Sequence, residues 1–292
     1  MPVPHPLLVL VDPLARRTDG ESVRIARDVL AAGSPGVKVC LPDGPEEAAR
    51  ALARRGRRRP VVIGDDRALL RAVRLLHLER GLAHCALSVV PVGRPGSVAL
   101  AGTLGVPLDA VRAARTVLEG RERRFDLLID DSGGVVLGGL RIPPLHGERE
   151  RRGTGGGPAR GPLGRCRSLV RTLTRPAPGP GAARLRVEAD GVLLTDLDSP
   201  VERVSLTPGG GLVDVVVRRR SEDGPVRARA RAVTVSGPHF RYRADAVVSG
   251  PVLTRTWTAH PSALRLTVPP ADPPAAPATA PPAVPPQRPS PA

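Results

Sequence analysis

The residues with the clearest chemical potential are Gly64, Asp65 and Asp66, which follow the apolar run Val61-Val62-Ile63 and precede an amphipathic stretch that begins at Arg67. A strand ending in such a turn and leading into a helix places loop amides and a helix N-terminus at the carboxyl edge of a sheet, where open α/β sheets bind phosphates. Glycine there lets the backbone approach an anion closely, and an aspartate there can bind a Mg2+ ion bridging nucleotide phosphates. The aspartates have a second use, since Asp65 or Asp66 would cap the following helix equally well. Both uses are open on local sequence alone.

Other chemistries find little support. Cys40, Cys85 and Cys166 are too widely spaced for a metal clamp or an even disulfide framework and read as reduced thiols. The six histidines are scattered, with none at metal-ligand spacing. Gly153-Thr154-Gly155-Gly156-Gly157 resembles a phosphate loop only superficially, because it lacks the preceding strand and the following Lys-Ser/Thr.

The elements that must position these residues divide the chain. Over residues 1–143, β-branched runs alternate with Ala/Arg/Leu-rich amphipathic runs, a pattern that predicts a Rossmann-like parallel α/β domain. Strands are expected at 7–11, 37–41, 61–63 and 87–90, and helices at 21–32, from about 45, at 67–80 and at 108–120. Gly33 suits the end of the first helix because it tolerates a left-handed backbone. Residues 125–130 and 135–142 read as a strand pair turned at Asp131-Ser132-Gly133-Gly134. Residues 144–182 are rich in Gly, Pro and Arg and are expected to form a flexible insertion, interrupted by a short helix near 163–174. From 183 to 269 the apolar period becomes two, which predicts an antiparallel β-sandwich domain. The Pro/Ala-rich residues 270–292 are expected to be disordered.

The order of these segments resembles the catalytic domain of the diacylglycerol and sphingosine kinase family. The first strand ends in Asp12-Pro13, where the family has Asn-Pro. Gly64-Asp65-Asp66-Arg67 stands where it has Gly-Asp-Gly-Thr, and Val90-Pro91-Val92-Gly93 leads to Leu104-Gly105-Val106-Pro107 much as the family's second loop leads to Leu-Gly-Ile-Pro. The second half is similar too: Ala244-Asp245-Ala246-Val247 stands where the family has an Asp-Gly-Glu element, and Leu264-Arg265-Leu266-Thr267-Val268-Pro269 resembles its last strand. The resemblance implies ATP and Mg2+ as cofactors and transfer of the γ-phosphoryl to a lipid hydroxyl. It further implies nucleotide contacts at Gly64, Asp65, Asp66, Arg67 and Gly93, metal contact at Asp65, and Asp245 as the catalytic acid of the β domain. Arg16, Arg17 and Arg94 lie on loops at the same edge and are candidates to neutralise phosphate.

Departures from the family pattern suggest an alternative, a catalytically degenerate nucleotide- or lipid-binding regulatory protein. Asp66 brings a negative charge to a position where backbone meets phosphate, Arg94-Pro95-Gly96-Ser97 replaces the polar end of the second loop, and Val247 stands in place of the family's Glu.

The net charge of +16 ordinarily points to nucleic acid or anionic membrane. Lys38 is the single lysine, and Ala, Arg, Pro, Gly and Val dominate, a bias typical of GC-rich coding sequence. With no zinc spacing and aromatics only at Phe125, Phe240, Tyr242 and Trp257, dedicated nucleic-acid binding is not expected. Peripheral contact with anionic membrane fits a lipid kinase. No apolar run is long enough to span a bilayer, so a cytoplasmic location is expected.

Overall fold

A computed structural model describes residues 6–143, 183–220 and 224–270. The insertion with its expected helix, and the tail, therefore lie outside the described residues apart from Pro270.

Four parallel strands, β1 (Leu7–Val11), β2 (Val37–Cys40), β3 (Arg59–Gly64) and β4 (Ser88–Pro91), form a sheet in the order β2-β1-β3-β4. All five residues of β1 are buried, as parallel strands covered on both faces require. Its odd positions Leu7, Val9 and Val11 pack with Val23 and Leu30 of α2 (Gly20–Gly33) and Ala113 and Val117 of α6 (Ala110–Glu119). Leu8 and Leu10 face the other way, onto Leu69, Val73 and Leu76 of α4 (Asp66–Leu78), which recur at helical spacing. Three more helices complete this part: α1 (Pro13–Thr18), α3 (Pro45–Ala53) and α5 (Ala99–Thr103), the last preceded by a 3-10 turn at Pro95–Ser97. The sequence reading missed α1 and α5. Gly33 is helical and not left-handed, and a Cβ there would meet the Leu118 side chain of α6.

The rest is one antiparallel sheet of eleven strands. Its members are β5 (Arg121–Asp130), β6 (Val135–Val136), β7 (Leu140–Ile142), β8 (Ala183–Arg184), β9 (Arg186–Ala189), β10 (Val192–Thr195), β11 (Pro200–Gly209), β12 (Leu212–Arg219), β13 (Val226–Ala230), β14 (Ala232–Ala244) and β15 (Val247–Val268). Its inward residues, among them Leu140, Val204, Val215, Val233 and Trp257, make a second core. Strand β12 touches β14 and β15 across that core, so the sheet folds face to face upon itself in the manner of a sandwich. Residues 121–142, grouped by sequence with the first domain, hydrogen-bond into this sheet through β5, β6 and β7.

The two sheets are fused. Leu87, just before β4, bridges Leu266 of β15, with its amide donating to Arg265 (2.8 Å) and its carbonyl accepting from Thr267 (2.9 Å). Beside it Ser88 Oγ donates to Thr267 Oγ1 at 2.8 Å. Leu127, Ile129, Leu264, Leu266 and Val268 of the antiparallel sheet belong to the same core cluster as Leu69 and Val73 of α4. Among the described residues no helix is long and apolar enough to cross a membrane.

Candidate functional site

The carboxyl ends of β1 and β3 open onto a crevice of about 250 Å³ between α1, the start of α3 and α4. Leu10, Val62, Leu52 and Leu75 line its apolar part, and Asp12, Arg17, Asp43, Asp65, Arg67 and Arg71 supply its charge. A more open hollow of about 460 Å³ lies outside the edge strand β2, around Lys38, Glu47 and Arg50, away from the ends of β3 and β4.

Asp12 caps α1, its Oδ2 accepting from the Leu14 amide at 3.0 Å, while its Oδ1 accepts from Arg71 Nη1 at 3.1 Å. Next to it, a Cβ at residue 64 would lie 2.8 Å from the Cβ atoms of both Asp12 and Ala68. Glycine is required there by packing between strand end and helix, whatever ligand the loop meets. Asp65 is the N-cap of α4: its Oδ1 accepts from the amides of Arg67 (3.0 Å) and Ala68 (3.1 Å). Oδ2 of Asp65 has no partner among the described residues. Gly93, after β4, abuts this cap, since a Cβ there would come within 3.4 Å of Asp65 Cβ and 2.6 Å of Ser97 Oγ.

Asp66 turns away from the crevice. It is 3% exposed, and its carboxylate receives the amides of Leu100 (2.9 Å) and Ala101 (3.0 Å), so it caps α5 from a distance in sequence. Burial pushes its carboxyl above the ordinary range, with the two amides opposing and Asp65 adding a smaller upward push. The charge that sequence reading set against phosphate is spent on a helix end instead.

Asp245 occupies the tight turn between β14 and β15 in a left-handed conformation, φ 47°. Its Oδ2 accepts from Leu137 N (2.7 Å), and its Oδ1 accepts from Gly138 N (2.8 Å) and Gly139 N (2.9 Å). Burial again raises the carboxyl, the three amides lower it, and the nearby Asp66 charge raises it slightly. A Cβ at Gly138 would lie 2.9 Å from Leu100 Cδ1 and 3.0 Å from Asp245 Oδ1, so glycine allows the β6–β7 loop to wedge between α5 and Asp245. Leu100 of α5 thus lies between Asp66 and Asp245, and of the three aspartates only Asp65 lines the crevice.

The arginines separate. Arg17 and Arg67 line the crevice, and among the described residues neither has an ion-pair partner. Arg16 sits outside its lining and faces the exposed Asp43 at 3.6 Å. Arg94 is exposed at the start of the 3-10 turn, where its carbonyl accepts from Ser97. Sequence reasoning overlooked Arg71, although it lies four residues after Arg67 and so on the same helix face. It also overlooked the amides of 137–139.

Among the described residues no three His, Cys, Asp or Glu side chains lie together as a metal cage. The unpartnered Oδ2 of Asp65 suits Mg2+, which takes one or two carboxylates and fills the rest of its shell with water and phosphate oxygens.

No protein-family profile matches the chain, and no curated protein matches it in sequence. Solved structures do match. A candidate diacylglycerol kinase from Bacillus anthracis str. Sterne has 14% identity and a TM-score of 0.66, with 91% of this chain and 97% of that chain covered. A diacylglycerol kinase structure from the same organism has 14% identity and a TM-score of 0.62, covering 91% and 98%. The fold is shared over nearly the full length of both.

Proposed function

We propose that this chain binds ATP·Mg2+ at the carboxyl edge of its parallel sheet and transfers the γ-phosphoryl to a lipid hydroxyl, a reading supported by its likeness in fold to structures described as diacylglycerol kinases. The observation that carries the proposal is the crevice after β1 and β3, where Arg17, Arg67 and Arg71 converge with the N-cap of α4. Cations and a helix N-terminus at that place suit a polyphosphate. Asp65 would hold the Mg2+ through Oδ2, and the ion when bound would neutralise charge on the phosphates.

Asp245 is the base in this reading. Burial raises its carboxyl above the ordinary range, which makes it a stronger proton acceptor than an exposed aspartate, and Oδ2 accepts only one amide. The acceptor hydroxyl gives its proton to Asp245, its oxygen bonds to the γ-phosphorus, and the bond from that phosphorus to the ADP oxygen breaks. Most of the acceleration would come from positioning and charge neutralisation.

A second reading, nucleotide binding without transfer, is favoured by one observation. The carboxylates of Asp66 and Asp245 are both committed to backbone amides, and Val247 offers no second acid. Calorimetric titration with ATP·Mg2+, repeated on Asp65→Asn, together with radiolabelled phosphate transfer to diacylglycerol and sphingoid acceptors, separates the two. Transfer supports the kinase reading, binding that weakens in Asp65→Asn without transfer supports the second, and absence of binding by folded protein refutes both.

A further inference from the structure

The turn that holds Asp245 is flanked by charge that neither the crevice nor the helix caps use. Arg141 of β7 lies directly opposite Arg243 of β14, and cross-strand partners point to one side of a sheet, so the two side chains leave the outer face of adjacent strands together. Both are exposed, while their sequence neighbours Leu140, Ile142, Tyr242 and Ala244 are buried. Each stands two residues from a group that fixes the carboxylate: Arg141 follows Gly139, whose amide donates to Asp245 Oδ1, and Arg243 precedes Asp245 itself. Two residues of strand span about 7 Å, so the pair borders the turn. Arg243 closes the distance further, with its Nε donating to the Asp245 carbonyl at 3.4 Å.

Like charges directly opposite each other cost stability. Among the described residues neither arginine has an acid partner, although elsewhere arginines meet acids, as Arg24 does Glu21, Arg229 does Asp214 and Arg265 does Glu122. The segment 144–182 that follows β7 carries eight Arg and two Glu and so brings no net neutralisation. On the other side of Arg243 its partner in β15 is Val248, which is half exposed, and the adjoining Val247 is exposed as well. The border of the turn therefore combines two cations in register with an apolar edge.

We infer that Arg141 and Arg243 hold a phosphodiester on the acceptor, which is then an anionic glycerophospholipid with a free headgroup hydroxyl in preference to a neutral diacylglycerol. Guanidinium groups meet phosphate oxygens with paired donors, and an anion between the two removes their repulsion. Val247 and Val248 lie on the side that suits the acyl chains. The phosphodiester is held and not cleaved: the headgroup hydroxyl gives its proton to Asp245, its oxygen bonds to the γ-phosphorus of ATP, and ADP leaves. That the bound lipid reacts rests on the phosphoryl-transfer reading, whereas its binding does not.

The test uses short-chain lipids below the concentration at which they aggregate, so that no membrane surface is present. Transfer from γ-labelled ATP·Mg2+ by the full chain is compared for dihexanoylphosphatidylglycerol, dihexanoylglycerol and glycerophosphoglycerol, alongside calorimetric titration of the first with ADP·Mg2+ present. The phosphatidylglycerol is expected to be the preferred acceptor. The double variant Arg141→Gln, Arg243→Gln should weaken its binding about tenfold for each arginine removed, with the loss falling on KM rather than on kcat. It should unfold no more easily than the parent, because a like-charge pair is gone, and Arg24→Gln should match the parent in both assays. Equal affinity in the double variant and the parent, no binding of the phosphatidylglycerol, or a preference for dihexanoylglycerol would each overturn the inference, and glycerophosphoglycerol used as well as the lipid would overturn the assignment to a lipid. Arginine-dependent binding with transfer to none of the three refutes the kinase reading alone and leaves the anion site standing.

Discussion

Replacing Asp66 tests the assignment that most changes the character of the loop. If its carboxylate exists to cap α5, Asp66→Ala leaves the Leu100 and Ala101 amides without acceptors in a site that water reaches poorly. Each unsatisfied donor costs about 1–3 kcal/mol, less at the part-buried Leu100 than at the buried Ala101. Removal of the carboxylate also relieves its own desolvation, which keeps the expected net loss near 2–4 kcal/mol. Urea unfolding can be followed through Trp257, the chain's one tryptophan, which is fully buried against Tyr242. Hydrogen exchange at Leu100 and Ala101 gives the local readout. The pH dependence adds a sign. Burial holds the folded carboxyl above its unfolded value, so this group's stability is complete below the ordinary carboxyl range and is lost as pH rises through the raised value. Asp66→Asn should remove that part of the slope, leaving Asp245 as the remaining carboxyl of the same sign among the described residues. A stability change below about 0.5 kcal/mol for Asp66→Ala, with both amides still protected, would refute the capping assignment.

Gly64→Ala should destabilise by about 1–3 kcal/mol, measured by the same unfolding curve, because its Cβ would meet two Cβ atoms that their backbones hold in place. Asp130 should titrate with the opposite sign to Asp66. Burial raises its carboxyl, but the Ser132 hydroxyl, the Gly134 and Ser132 amides and Arg255 outweigh that and hold it below the ordinary range. Its stability is therefore present above the unfolded value and lost as pH falls through the folded one, and Asp130→Asn should flatten the acid limb of a stability profile.

The parts of the fold legible in sequence were those whose causes are local. Strands β1 and β3 announce themselves through β-branched runs buried on both faces, and α4 through Leu69, Val73 and Leu76 at helical spacing behind an Asp cap. Helix α5 could not be read, because its five residues have no cap of their own and depend on Asp66, 34 positions earlier. Strand β15 showed only its last five residues, since Gly250, Pro251 and Pro261 interrupt the apolar pattern over a length that pairing with β14 and β5 holds together. The candidate site divides the same way. Gly64 and Asp65 stand out through the strand–turn–helix pattern and Arg67 through the family resemblance, whereas the amides that receive Asp245 lie more than a hundred positions away.

The bridge between Leu87 and Leu266 also fixes an order of events in time. Residues 264–268 are among the last of the described chain to leave a ribosome, so until then Leu87 lacks its bridge and the core beneath α4 lacks Leu264, Leu266 and Val268. The Ser88–Thr267 bond closes a loop of 179 residues, a contact of very long range. Loop closure of that length makes acquisition of the native state slow relative to a protein built from local contacts. A nascent chain stopped before β15 would hold four parallel strands with one face of their core still open.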